Sequence, residues 1–146
     1  MNNFEIVIPT KLHQKQIENI FDLAISNNFK QENLVELFPG ELLTLIEEQK
    51  KYLNRFYETN GLEEKFWAAS LGDRIVGVIA YGTVNQLIHT HLGKKPPRYE
   101  IKSTYILPEY QRQGIGKELF KRVIKELKGH KIERACLDCG YKNKIA

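Results

Sequence analysis

Apolar positions along this chain recur with two different periods, and the switches between them lay out the elements. Phe4-Glu5-Ile6-Val7-Ile8 runs as a short β-type pattern up to Pro9, which predicts a first strand. Ile17, Ile20, Phe21, Ala24 and Ile25 then follow at the spacing of one helix face, with an end expected near Asn27-Asn28. The stretch 33–38 is expected to be irregular or a short helical turn. Pro39 is expected to open a second helix, because its missing N–H would lack a partner there in any case. Leu42, Leu45, Ile46, Tyr52, Leu53, Phe56 and Tyr57 continue that helix, and Asn60-Gly61 should end it.

The second half turns to strands. Phe66 to Ser70 and Ile75 to Tyr81 are β-rich runs around Leu71-Gly72-Asp73-Arg74, the signature of a tight hairpin. A long loop is expected from Val84 to Arg98, then a central strand ending at Leu107-Pro108. Leu119, Phe120, Val123, Ile124 and Leu127 stripe a third helix that Gly129 should stop, and 133–139 reads as a last strand. No linker or repeat divides the 146 residues, so a single domain over 1–146 is expected.

The junction between the central strand and the third helix is where chemistry is expected. It reads Ile106-Leu107-Pro108-Glu109-Tyr110-Gln111-Arg112-Gln113-Gly114-Ile115-Gly116-Lys117. A glycine turn at a helix start offers unshared N–H groups and the positive end of the helix dipole, which suits a phosphate. Two phosphate motifs are excluded by spacing. A P-loop needs an earlier glycine and a hydroxyl after the lysine, but Glu118 follows Lys117. A dinucleotide fingerprint needs a third glycine where Leu119 stands.

The remaining pattern, Gln111-x-x-Gly114-x-Gly116 after an apolar strand and before a basic amphipathic helix, resembles the acetyl-CoA motif of the GNAT family of N-acetyltransferases. The element order β-α-α-β-β-β-α-β is similar to that family's along essentially the whole chain. The resemblance implies an α/β fold with a mixed central sheet, acetyl-CoA as co-substrate, and transfer of its acetyl group to a primary amine by direct attack in a ternary complex. Main-chain groups of Thr104, Tyr105 and Ile106 would meet the pantetheine arm and thioester. The amides of Arg112, Gln113, Gly114, Ile115, Gly116 and Lys117 would hold the pyrophosphate. Gln111 has two readings, bonding the turn or the cofactor, and the Ile115 side chain is expected in the core. Glu100 stands where some members carry their catalytic glutamate. By strand alternation it would share a face with Lys102, Thr104 and Ile106. Asp138 is the alternative base, and Asn143 matches the family's cofactor-contacting asparagine.

The family pattern continues with a helix, a tyrosine that protonates the leaving thiolate, and a closing hairpin; this sequence ends at Ala146, before that tyrosine. Tyr105, Tyr110 and Tyr141 are the substitutes to consider. A second functional expectation follows: a domain that binds acetyl-CoA but turns over poorly. The uncovered edge of the last strand raises the expectation of a homodimer.

Charge sharpens the picture. The formal net charge of +4 hides an acidic first part and a basic remainder from Lys94 onward, which contains the glycine turn and suits a polyanionic ligand. The basic helix lacks interleaved aromatics, so nucleic acid is not expected. Cys136 and Cys139 form a lone C-x-x-C, and His89-x-His91 lacks an evident third ligand, so no metal is expected. The start of the sequence lacks a leader pattern and no apolar run spans a bilayer, giving a cytoplasmic protein without a membrane partner as the expectation.

Overall fold

A computed structural model describes residues 3–33, 40–62, 64–83, 99–129 and 135–137. The elements are β1 (Glu5–Val7), α1 (Gln14–Gln31), α2 (Glu41–Glu58), β2 (Glu64–Leu71), β3 (Arg74–Thr83), β4 (Tyr99–Ile106), α3 (Ile115–Gly129) and β5 (Ala135–Leu137). They form one five-stranded sheet in the order β1-β2-β3-β4-β5. The first four strands are antiparallel, and β5 pairs parallel to β4. A parallel neighbour requires a crossover, which α3 supplies.

The helices lie on opposite faces, as two adjacent residues of β2 make plain. Phe66 meets Phe21 of α1 and Phe56 of α2, with ring centroids 6.5 and 5.4 Å away. Trp67, pointing the other way, lies under the Arg122 guanidinium of α3 at 4.8 Å. Among the fully buried side chains are Ile17, Ile20, Phe21, Leu53, Phe66 and Ile79 on the way from α1 and α2 through the sheet, and Leu119 and Val123 beneath α3.

α1 runs beyond the expected end at Asn27-Asn28 because Phe29 continues its buried stripe. It closes at Asn33, a left-handed residue (φ 56°) whose N–H donates to the Lys30 carbonyl at 3.2 Å. α2 ends in a Schellman motif, with Asn60 and Gly61 at φ 52° and 79° and the Gly61 N–H on the Phe56 carbonyl at 3.0 Å. Pro39 and most of 33–38 lie outside the described residues. The β2–β3 hairpin has Leu71 opposite Arg74, leaving a two-residue turn in which only Gly72 has positive φ (61°), as a type II′ turn requires.

β4 departs from the expected alternation. Tyr81 of β3 faces Ile101, while the preceding Ala80 faces Ser103, so Lys102 is an extra residue in a β-bulge. The bulge turns two consecutive side chains toward α2: Lys102 lies over the Tyr52 ring at 4.9 Å, and the Ser103 hydroxyl donates to Gln49 Oε1. Glu100, opposite Gly82, belongs to that same face. Ile106 instead reaches the α3 face, where its Cδ1 would lie 2.6 Å from a Cβ on Gly77. Glu100, Lys102, Thr104 and Ile106 therefore do not share one face. One inserted residue inverts the parity on which that expectation rested.

Candidate functional site

β4 leads into the glycine bend through a 3-10 turn at Pro108–Tyr110. The Leu107 N–H donates to the Val76 carbonyl of β3 at 2.9 Å. Successive strand amides point to opposite edges, so the Ile106 N–H and C=O face away from β3, toward the β5 side. The described part of β5 pairs only with Tyr99–Ile101, so Lys102–Ile106 has no strand partner on that edge among the described residues. Gln111 Nε2 donates to the Ile106 carbonyl at 3.2 Å, which fixes its side chain as a tie between turn and strand.

At the bend, Arg112 and Gly114 take left-handed conformations, φ 62° and 84°. Alternation of such residues with right-handed ones turns successive N–H groups to one side, the arrangement of an anion nest. The Tyr110 and Gln111 amides are spent on the Leu107 and Pro108 carbonyls, and the helix ladder begins with Glu118 N–H on the Gly114 carbonyl at 3.1 Å. Among the described residues, the amides of Arg112, Gly114, Ile115, Gly116 and Lys117 donate to no protein acceptor. A Cβ built on Gly114 or Gly116 would meet nothing within 4 Å, so the outer side of the bend is open. The inner side is anchored by Ile115, which is 2 % exposed. Arg112, Gln113, Gly114 and Lys117 are exposed, and Gly116 is half-buried. What this cradle can do chemically is donate several hydrogen bonds to the oxygens of an anion, beside two cationic side chains and a helix N-terminus.

At the other end of β4, Glu100 is buried, with Cys136 of β5 as its register partner. Its surroundings are a charged layer between β2, β4 and α2. Lys102 Nζ donates to Glu64 Oε1 at 2.9 Å and Arg55 Nη1 approaches the same oxygen at 3.4 Å. Glu64 Oε2 is buried with no hydrogen-bond partner. The Tyr52 hydroxyl donates to Glu48 Oε1 at 2.6 Å. Burial, that hydrogen bond, and the charges of Glu48, Glu100 and Glu64 push the Tyr52 pKa well above the ordinary tyrosine value.

The tyrosines considered as thiolate donors are placed elsewhere. Tyr105 packs edge-on against Phe21 at 5.9 Å on the α1 side, and Tyr110 lies beneath the Arg74 guanidinium at 5.4 Å. Tyr141, Asp138, Asn143, Cys139, His89 and His91 lie outside the described residues. Among the described residues, no group of three or more His, Cys, Asp or Glu side chains is placed to hold a metal ion, and no helix is long and apolar enough to cross a membrane. Sequence reasoning missed the Glu64–Lys102–Arg55 cluster. Its one local sign was a lysine in the middle of an apolar strand.

An open glycine bend between an antiparallel strand and a crossover helix makes a seat for an anion, and comparison with known proteins gives the family. Residues 27–146 match the family model described as Acetyltransferase (GNAT) family, and the chain belongs to that family. No curated protein matched in sequence. Solved structures match along nearly the full chain. A PaiA N-acetyltransferase from Thermoplasma acidophilum in complex with coenzyme A superposes with a TM-score of 0.72 at 17% identity, covering 98% of this chain and 83% of that one. A GNAT family acetyltransferase from Brucella melitensis in complex with acetyl-CoA gives 0.63 at 16%, covering 100% and 83%. A predicted acetyltransferase from Clostridium acetobutylicum with acetyl-CoA gives 0.61 at 18%, covering 99% and 85%. At these identities the likeness is one of fold.

Proposed function

We propose that this protein transfers an acetyl group from acetyl-CoA to a primary amine by direct attack in a ternary complex. The observation that carries this reading is the bend at Arg112–Lys117, open on its outer side, where among the described residues the amides of Arg112, Gly114, Ile115, Gly116 and Lys117 donate to no protein acceptor. Those N–H groups would donate to the diphosphate oxygens of coenzyme A, with Arg112 and Lys117 adding charge. The outward-facing main-chain groups of Thr104 and Ile106 would align the pantetheine arm, while those of Tyr105, expected to join them, face β3 instead. Ile106 N–H is the donor best aimed to stabilise the oxyanion of the tetrahedral intermediate.

An ammonium has no lone pair, so the acceptor must lose a proton before its nitrogen bonds to the thioester carbon. Glu100 is the base in this reading: it takes that proton, directly or through water, before the C–N bond forms. The tetrahedral intermediate then collapses, the C–S bond breaks, the thiolate departs and the nitrogen gives its second proton to solvent. Asp138 is the second choice, and Asn143 would add a cofactor contact. Tyr105 and Tyr110 are engaged elsewhere, which favours protonation of the thiolate by solvent or by Tyr141. The same observation favours the second reading, an acetyl-CoA-binding domain with impaired turnover.

Thiol release on offering a panel of primary amines at saturating acetyl-CoA separates the two. Amine-dependent release supports transfer; bound acetyl-CoA without release on any amine supports the second reading. No binding at millimolar acetyl-CoA removes both.

A further inference from the structure

The glycine bend does not hold its shape alone. Arg112 adopts a left-handed conformation that is uncommon for residues with a side chain other than Asn or Asp (φ 62°). Two glutamine clasps contribute: Gln111 Nε2 on the Ile106 carbonyl at 3.2 Å and Gln113 Nε2 on the Glu109 carbonyl at 3.3 Å. The second clasp is only as firm as Glu109, which sits in the 3-10 turn. Glu109 is in turn gripped from another part of the chain. Arg74, the first residue of β3, places Nη2 3.1 Å from Glu109 Oε1 and Nη1 3.4 Å from the Tyr110 hydroxyl, with its guanidinium 5.4 Å from the Tyr110 ring centre. The hairpin carrying Arg74 is itself tied to α1. Gln16 accepts from the Ile75 N–H at 2.8 Å and donates to the Asp73 carbonyl at 3.3 Å.

We infer that Arg74 is a positioning residue for the cofactor seat, a latch by which the β2–β3 hairpin holds the Pro108–Tyr110 turn and, through Gln113, the bend in its anion-accepting form. The inference rests on the acetyl-CoA reading above. Arg74 acts through Glu109 and Tyr110, and the diphosphate touches neither in this account.

Glu109 makes the idea testable against plain electrostatics. A carboxylate beside a diphosphate seat repels the ligand, so neutralising it should tighten binding if charge alone mattered. The latch requires the opposite.

The experiment is calorimetric titration of acetyl-CoA, and separately of inorganic pyrophosphate, into the unmodified protein and into Arg74→Ala, Arg74→Lys, Glu109→Gln and the double variant Arg74→Ala/Glu109→Gln. The latch predicts weaker binding by about three- to tenfold for Arg74→Ala and for Glu109→Gln, the scale of one exposed ion pair with a ring contact. It predicts partial rescue in Arg74→Lys, a double variant no weaker than either single, and a raised KM for acetyl-CoA at unchanged kcat. Unchanged or tighter binding in Glu109→Gln, or additive losses in the double variant, would overturn it. If the unmodified protein bound neither probe, the functional reading would fall. Amide exchange at Gly114 and Gly116 would still decide the latch: faster exchange in Arg74→Ala supports it, and equal rates overturn it.

Discussion

Replacing Lys102 with methionine keeps most of the stem and deletes one charge from the layer between β4 and α2. The side chains involved are nearly dry: Lys102 is 7% exposed and Glu64 1%, with 2.9 Å between Nζ and Oε1. At an effective dielectric of about 20, charges at that separation attract by about 6 kcal/mol, much of which offsets the desolvation of both ions. The pair is thus close to neutral as a whole, but either half alone is costly. Removing one partner of a buried pair typically costs about 3–5 kcal/mol. Arg55 remains 3.4 Å from the same oxygen, while Glu64 Oε2 has no partner to begin with, so Lys102→Met should fall near the low end, at about 3 kcal/mol. The double variant Glu64→Gln/Lys102→Met should recover most of that loss. Urea unfolding followed by circular dichroism measures both, through the midpoint at constant slope. A loss under about 1 kcal/mol in the single variant, or a double variant as poor as the sum of its singles, would refute the reasoning.

Three further outcomes are expected. Gly116→Ala should raise stability by about 0.4–1 kcal/mol, since its φ is not left-handed and its Cβ meets nothing, yet it should weaken acetyl-CoA because the methyl stands in the cradle; thermal melts and calorimetry should move in opposite directions, and a parallel change contradicts the site. Glu100→Gln should lower kcat by about a hundredfold or more with KM for acetyl-CoA little altered, and a kcat near that of the unmodified protein removes Glu100 as base. Tyr57, half-buried and donating to the Thr10 carbonyl at 2.6 Å, has its pKa pushed up from 10.0 to about 12 by burial and then by the Glu18 charge. The unfolded chain therefore loses this proton first, so the Tyr57 contribution is complete below pH 10 and is lost as pH rises toward about 12. Tyr57→Phe should flatten that decline in a pH series of unfolding midpoints, and an unchanged slope would refute it.

The order of elements was legible because each depends on its own period: 3.6 in Ile17 to Ile25, two in the strands, and turn chemistry at Gly72-Asp73 and Asn60-Gly61. The glycine bend was legible for the same reason, since left-handed backbone and a helix start are local. The third helix was read with a stripe wider than the sheet uses. Ile115, Leu119, Val123 and Leu127 are buried, whereas Phe120 is 36% exposed. Lys102 was misjudged because a bulge belongs to a pair of strands, and the extra residue shows only against Ala80 and Tyr81. Glu64 with Lys102 and Arg74 with Glu109 were invisible because these partners are 38 and 35 residues apart, and no local pattern marks such a match.

In the proposed reaction the amides of the glycine bend receive the phosphates of coenzyme A. Titrating acetyl-CoA into the ¹⁵N-labelled protein reads those amides one by one. The Gly114 and Gly116 signals should shift and become protected in step with saturation, while that of Gly72, in the hairpin turn, stays in place. Binding that saturates with the Gly114 and Gly116 signals unmoved would contradict the claim.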